Sequence, residues 1–388
     1  MRLLETLRSS AQERERLHLR RVRREQISRQ GPYAVCGNRR LLNFSSNDYL
    51  GFAQHQSVIA AFQQAASNYG VGSAGSALVS GYFSAHRQLE EQAAEQFGYQ
   101  TCLLVGSGYL ANIGVLQTLL DENSVCVQDK LNHACLLDGA RFSGCVLKRF
   151  AHGQWDVAER TCASSESTNT FLVSDGVFSM DGDAADISAL SHIAKRHSAT
   201  LMIDDAHGVG VLGESGLGSL QAASCDSNDV PILIIPAGKA LGGQGALILS
   251  NHDVINHLVE TARPYLFSTA PAPAMAAALS QSLYLLQNEP EYHLALRSNI
   301  KHFTHLAQQA GLPILPSPSA IQPLMLGSNE RALVLSEQLR ARGFWLNAIR
   351  PPTVPQNTAR LRITLTALHQ PEHIEALIDC LDNLVHAT

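Results

Sequence analysis

What this sequence lacks narrows it first. No apolar run approaches the ~18 residues that a bilayer-spanning helix needs. No apolar core opens the N-terminus as a secretory leader would, and Glu5, Glu13, Glu15 and Glu25 break up its arginines, against a transit peptide. Excess positive charge is missing as well. The 29 basic and 34 acidic residues give a net of -5, so no bulk attraction to nucleic acid is expected. The eight cysteines (36, 102, 126, 135, 145, 162, 225 and 380) form no C-x-x-C pair and no cluster with histidine at zinc spacing. Most sit in apolar runs and read as reduced thiols of a cytoplasmic protein. Nucleic-acid, membrane and metal roles are thereby set aside. What remains is a chain of 388 residues, long enough for a large α/β domain and a smaller one.

The chain divides by texture into an arm over 1–45, a large domain over 46–285 and a small one over 286–388. Residues 2–30 read as a charged helix with a thin apolar stripe of Leu3, Leu7, Leu17 and Leu19, and seven arginines fall between Arg14 and Arg29. A polar, turn-rich stretch follows at Leu41–Phe52, and a flexible glycine stretch at Gly70–Ser76. Seven short strands are then expected, at 102–105, 125–128, 145–150, 170–174, 200–203, 232–235 and 245–249. Helical patterns such as 86–96, 111–120 and 187–196 separate several of them, which predicts a mostly parallel sheet covered on both faces. Only nine residues join the last two strands, too few for a parallel crossover, so the final strand should run antiparallel. Beyond 285 the pattern is α+β. Helices are expected at 293–309, 330–342 and 371–384, and strands at 321–326, 344–349 and 361–364.

Chemistry collects at the ends of the buried strands. Ile232–Ile235 runs through Pro236 into Ala237-Gly238-Lys239, with Gly242 and Gly243 beyond. A lysine at a strand's carboxyl end sits where α/β folds bind ligands, and its amine can form a Schiff base with a carbonyl cofactor. Upstream, Val105-Gly106-Ser107-Gly108-Tyr109 carries a strand through glycines into a helix, whose N-terminus favours a phosphate. Asp129–Ala134 sets His133 just past a strand, where its ring can stack on a planar group or simply cap a helix. Ser174–Asp183 is a tight acidic loop. Leu201–Gly208 ends a buried strand at Asp204. A carboxylate there is costly unless a cation partners it, and a protonated pyridine nitrogen would serve. Each ionised form then favours the other, and the protonated ring becomes an electron sink for a carbanion.

Asp204-Asp205-Ala206-His207-Gly208, with Lys239 following 35 residues after Asp204, resembles the aspartate and lysine of fold-type-I pyridoxal-phosphate enzymes. More narrowly, Asn43–Gly51, Gly176–Asp183 and Asp204–Gly208 resemble the α-oxoamine synthases, and the resemblance covers essentially the whole chain. It implies a seven-stranded large domain, a small C-terminal α+β domain, an N-terminal helical arm and a homodimer. It implies pyridoxal 5'-phosphate as cofactor, with Lys239 as its Schiff-base lysine and proton carrier. Asp204 is then the partner of the ring nitrogen, His133 the stacking group, and His207 the neighbour of the phenolic oxygen. Gly108, Tyr109 and Ser179 fall in cofactor-contact positions. Ser268 and Thr269 match a segment that reaches the neighbouring subunit's phosphate. Arg350 and Arg362 are candidates for a carboxylate clamp. Asn47 and Thr353 match substrate contacts, and Arg21 (or Arg20, one residue away) matches an arginine that handles a long acidic acyl chain. Arg350-Pro351-Pro352-Thr353-Val354-Pro355 and the arginine-rich arm resemble those family members for which the resemblance implies L-alanine and a pimeloyl thioester, on coenzyme A or acyl carrier protein. The alternatives are a sister activity that joins glycine to acetyl-CoA, and a noncatalytic homologue.

The sequence departs from that family at informative places. Pro236 stands where threonine usually offers a hydroxyl to the phosphate, and proline brings neither hydroxyl nor N–H. A hydrogen bond to a charged group is worth roughly 1.5–3 kcal/mol, so its loss should weaken cofactor binding about tenfold to a hundredfold. Asp175 replaces the usual glutamate, and Ala74 and Leu78 stand where glycine and a polar or basic residue are common.

Overall fold

The computed structural model describes residues Arg2 to His386. By their contacts the residues form two compact units, one of Asp48–Ser179 and Asp183–Leu294, the other of Met1–Asn47, Met180–Gly182 and Ala295–Thr388.

The chain opens with helix α1 (Arg2–Arg16), short strands β1 (Ser28–Gln30), β2 (Tyr33–Cys36) and β3 (Arg39–Asn43), and helix α2 (Gln56–Tyr69). The helix expected over 2–30 thus stops early. Its end has a physical cause: His18 takes a left-handed φ of 54°, and the Leu19 N–H closes back on Arg14 O at 2.7 Å, as in a Schellman cap.

The larger unit is built on strands β4 (Thr101–Val105), β5 (Val125–Asp129), β6 (Val146–Phe150), β7 (Thr170–Asp175), β8 (Thr200–Asp204), β9 (Ile232–Pro236) and β10 (Ala246–Ser250). They form one sheet in the order β4-β10-β9-β8-β7-β5-β6. Every residue of β5, β7 and β10 is buried, as strands covered on both faces require. Its helices are α3 (Ser84–Phe97), α4 (Gly108–Leu119), α5 (Ala134–Ser143), α6 (Trp155–Ala163), α7 (Ile187–Arg196), α8 (Ser219–Ala222), α9 (His252–Thr261), α10 (Arg263–Leu266) and α11 (Pro273–Asn288). Helices α4, α5 and α9 close over one face in a cluster that includes Leu103, Val115, Leu116, Met202, Ile248 and Leu258. Strand β10 runs antiparallel to both neighbours, as its short connection dictates. That turn needs glycine: Gly242 has φ 67°, and an added Cβ would lie 2.3 Å from the Ala53 nitrogen.

The remaining elements are α12 (Glu291–Gln309), β11 (Ile321–Gly327), α13 (Asn329–Ala341), β12 (Phe344–Trp345), β13 (Ala348–Ile349), β14 (Ala359–Thr364) and α14 (Pro371–Val385). The smaller unit holds two sheets, β1-β2-β3-β12 and β11-β14-β13. The single strand expected over 344–349 is therefore two. Phe344–Trp345 pairs with β3, and Ala348–Ile349 turns away to pair with β14. Strands β1 to β3 escape a periodicity reading because they are short and half-exposed.

Candidate active site

The parallel strands β5, β7, β8 and β9 all deliver their carboxyl ends to one edge of the sheet, the place where α/β folds bind ligands. Asp175 and Asp204 lie directly opposite each other in the ladder there, and Lys239 follows β9 two residues beyond its turn's start. On the far side of β10, β4 leads into α4. One cavity results, about 680 Å³ to its open mouth, lined by Gly108, Tyr109, His133, Asp175, Ser179, Asp204, His207, Pro236 and Lys239 among others.

Asp204 is buried, and burial is the main reason its pKa lies above the usual carboxylate value. It keeps its place through two donors. The Asn112 side-chain amide donates to Oδ2 at 2.5 Å and the Ala206 N–H to Oδ1 at 3.1 Å. Burial and the Asp204 charge push Asp175 well above the usual value as well. Asp175 accepts the His133 backbone N–H at 2.9 Å, and this fixes the start of α5. His133 caps α5, its Nδ1 accepting from the Cys135 N–H and lying 2.8 Å from the Cys135 thiol. Burial lowers its pKa, the Asp204 charge works against that, and Lys239 adds to the lowering. His207 is buried, with the Tyr49 hydroxyl 2.6 Å from its Nδ1.

Gly108 begins α4, and Ser107 caps it by accepting the Leu110 N–H at 3.2 Å. The first N–H groups of such a helix take no part in its own ladder and can meet an anion. A Cβ on Gly108 would lie 2.7 Å from Cγ of Pro236, so the proline ring occupies the space beside this phosphate-type cradle. Tyr109 reaches outward and its hydroxyl donates to Asp138 at 2.5 Å.

Three residues that support the cavity without lining it do work that was not legible in the sequence. Asn112 is the only polar residue in the run Leu110–Leu116 besides Gly114's bare backbone, and it is fully buried; a lone amide in an apolar helix is the signal that could have found it. Asp205, next to Asp204, serves the frame: it accepts from the Ser219 N–H at 2.8 Å and the Ser219 hydroxyl at 2.5 Å. His152 bridges Asp129 and Asp183, at 3.1 and 2.8 Å, and these two hydrogen bonds raise its pKa to about 10.

Other expected site residues lie elsewhere. Ser268 and Thr269 do not line this cavity but a separate recess with Tyr82, His86, Glu90 and Tyr265. In the smaller unit, Arg362 donates to Asn47 Oδ1 at 2.9 Å and to Thr364 Oγ1 at 3.1 Å. Arg21 donates to Thr353 Oγ1 at 3.0 Å, whereas Arg20 pairs with Glu15 at 2.7 Å. Arg350 donates to the backbone carbonyls of His18 and Arg20, so it ties down the arm. Arg20, Arg21, Arg24, Arg350 and Thr353 line one groove of that unit.

A lysine and a buried carboxylate converging at the carboxyl edge of this sheet define a class. The chain matches the family "Aminotransferase class I and II" over residues 39–381, and it belongs to that family. Curated relatives of this chain include 8-amino-7-oxononanoate synthases. It is 46% identical to that of Stenotrophomonas maltophilia (strain R551-3), over 94% of this chain and 89% of the relative. It is 47% identical to that of Saccharophagus degradans, over 88% and 86%. Among solved structures, a serine palmitoyltransferase with PLP as internal aldimine superposes with a TM-score of 0.92 at 25% identity, covering 98% of this chain and 97% of that one. The 8-amino-7-oxononanoate synthase of Francisella tularensis gives 0.78 at 25% identity, covering 89% and 98%.

Proposed function

We infer that this chain is a pyridoxal 5'-phosphate-dependent C-acyltransferase that condenses L-alanine with a pimeloyl thioester. The products are 8-amino-7-oxononanoate, carbon dioxide and the free carrier, a step of biotin biosynthesis. One observation carries the reading: Lys239, Asp204, His133 and His207 line a single cavity in a chain 44–47% identical to 8-amino-7-oxononanoate synthases.

The residues fit the cofactor. Asp204 is a buried carboxylate whose pKa burial raises, and a pyridinium nitrogen beside it would favour its ionised form. The start of α4 beside Gly108 offers backbone donors to a phosphate. Bound pyridoxal phosphate supplies the electron sink that stabilises a carbanion at the amino acid's α-carbon. The rest falls to the chain. Lys239 would hold the cofactor's aldehyde through its amine and, with alanine bound, would carry the α-proton; a lysine's pKa moves readily in a confined site. Asp204, steadied by Asn112, keeps the ring nitrogen protonated. His133 would hold the cofactor's ring and His207, held by Tyr49, would contact it as a polar neighbour. Ser179 and Tyr109 complete the cofactor contacts.

For the acyl chain, Arg21 and Thr353 form the pair suited to a distal carboxylate, with Arg350 fixing the arm that carries Arg21. Arg362 and Asn47 are the remaining candidates for the amino acid's carboxylate. A second copy supplies Ser268 and Thr269 to the phosphate, so the working form is a homodimer. Val79 and Phe267, 82% and 73% exposed, mark the apolar surface that it covers. No described helix is long and apolar enough to cross a membrane. A cytoplasmic setting for the reaction is part of this proposal.

The test is turnover of L-alanine with a pimeloyl thioester against glycine with acetyl-CoA. Preference for the first pair is expected, and Lys239→Ala should abolish it while leaving cofactor bound only noncovalently. Normal turnover by that variant would sink the assignment.

A further inference from the structure

Charge is divided very unevenly along this chain. Residues 1–40 hold eleven arginines, no lysine and four glutamates, a net of +7. The whole chain carries -5, so residues 41–388 carry -12. The positive part is laid out for contact. No residue of α1 is buried, and through residue 30 only Leu19 is even half-covered. Glu13 and Glu15 are engaged by Arg16 and Arg20, and Arg24 pairs with Glu337. Arg2, Arg8, Arg23 and Arg29 make no ion pair among the described residues. Beside them Leu3, Leu4 and Leu7 form an exposed apolar stripe, Leu3 being 70% exposed. The arm then continues through residues 19–24, of which Leu19, Arg20, Arg21, Val22 and Arg24 line the groove with Arg350 and Thr353.

We propose that this arm is the docking surface for an acidic acyl carrier protein, which presents its thioester on a flexible prosthetic chain. The proposal rests on the acyltransferase reading above and names the carrier. An acidic partner is repelled by a body of charge -12 and drawn to the only basic segment, which steers encounter to the mouth of the acyl groove. The leucine stripe supplies the apolar contact that charge alone does not. A second copy of the chain is the less suitable occupant, because its apolar seat is the surface around Val79 and Phe267.

The experiment compares three pimeloyl donors: the acyl carrier protein thioester, the coenzyme A thioester and the uncharged pantetheine thioester. The variant is R2E/R8E/R23E, all outside the groove and the active site. For the carrier-borne donor, KM should rise about tenfold or more with kcat unchanged, and added salt should erase the difference between wild type and variant. KM for pantetheine and coenzyme A thioesters should hold. An unchanged KM for the carrier-borne donor overturns the proposal. So does an equal rise for the carrier and coenzyme A donors, which would mean that the arm reads nucleotide phosphates, and so does a variant that sediments as a monomer. If the wild type turns over none of the three donors, the acyltransferase reading itself has failed.

Discussion

Asn112 governs how Asp204 meets a cation. Its amide is the side-chain donor to that carboxylate, inside a site where burial already disfavours the charge. Asn112→Ala removes a hydrogen bond to an ionisable group, worth roughly 1.5–3 kcal/mol, and cofactor affinity should fall about tenfold to a hundredfold. Titrating the cofactor's visible absorbance measures this, and an unchanged Kd would show that Asp204 needs no help. Pro236 makes the opposite case. Its ring packs against Gly108 and offers the phosphate nothing. Pro236→Thr restores a hydroxyl at the end of β9, and the same titration should show binding about tenfold or more tighter. Weaker or equal binding would mean that the hydroxyl does not reach the anion.

The loop between β7 and α7 is the element on which Ser179 depends, and His152 anchors it. Its imidazole joins Asp129, at the end of β5, to Asp183, and its ring meets Phe178 edge-on at 4.4 Å. The two carboxylates raise its pKa from about 6.5 to about 10. A group whose folded pKa is raised contributes its stability fully below the unfolded value and loses it as pH rises through the folded one. This brace is therefore complete below pH 6.5, persists at neutrality and disappears around pH 10. His152→Gln should cost about 1–2 kcal/mol at pH 7, since the site is partly solvent-screened, and lower Tm by a few degrees. The gap to wild type should close above pH 10. A gap that is the same at both pH values would show that packing against Phe178, not charge, is what matters.

At the scale of the whole molecule, one chain leaves its proposed site incomplete. Ser268 and Thr269 line a recess apart from Lys239, while Val79 and Phe267 beside that recess are left largely in water. Placing a carboxylate on that surface should split the proposed homodimer. V79D/F267D is expected to sediment as a monomer with an unchanged far-ultraviolet spectrum, to bind the cofactor weakly and to lose turnover. A dimeric, active variant would move the subunit interface elsewhere.

How much the sequence carried follows from the range of the forces involved. The seven sheet strands were readable because each is a short apolar run, and the antiparallel course of β10 because nine residues cannot make a crossover. Lys239, Asp204, His133 and Gly108 were readable because each stands where a buried strand stops, and the structure brings them to one cavity. The sequence alone did not give the end of α1, where His18 adopts a left-handed turn without glycine, or the division of 344–349 between two sheets. Nor did it give the work of Asn112, Asp205 and His152. Those depend on partners 92, 14 and 23 to 31 residues away in the chain. Local periodicity fixes which residues are strand or helix and where each strand ends. Which polar groups then satisfy one another is decided only when the sheet order brings distant strand ends together, because an unpaired buried group is costly and its partner is chosen by distance in space.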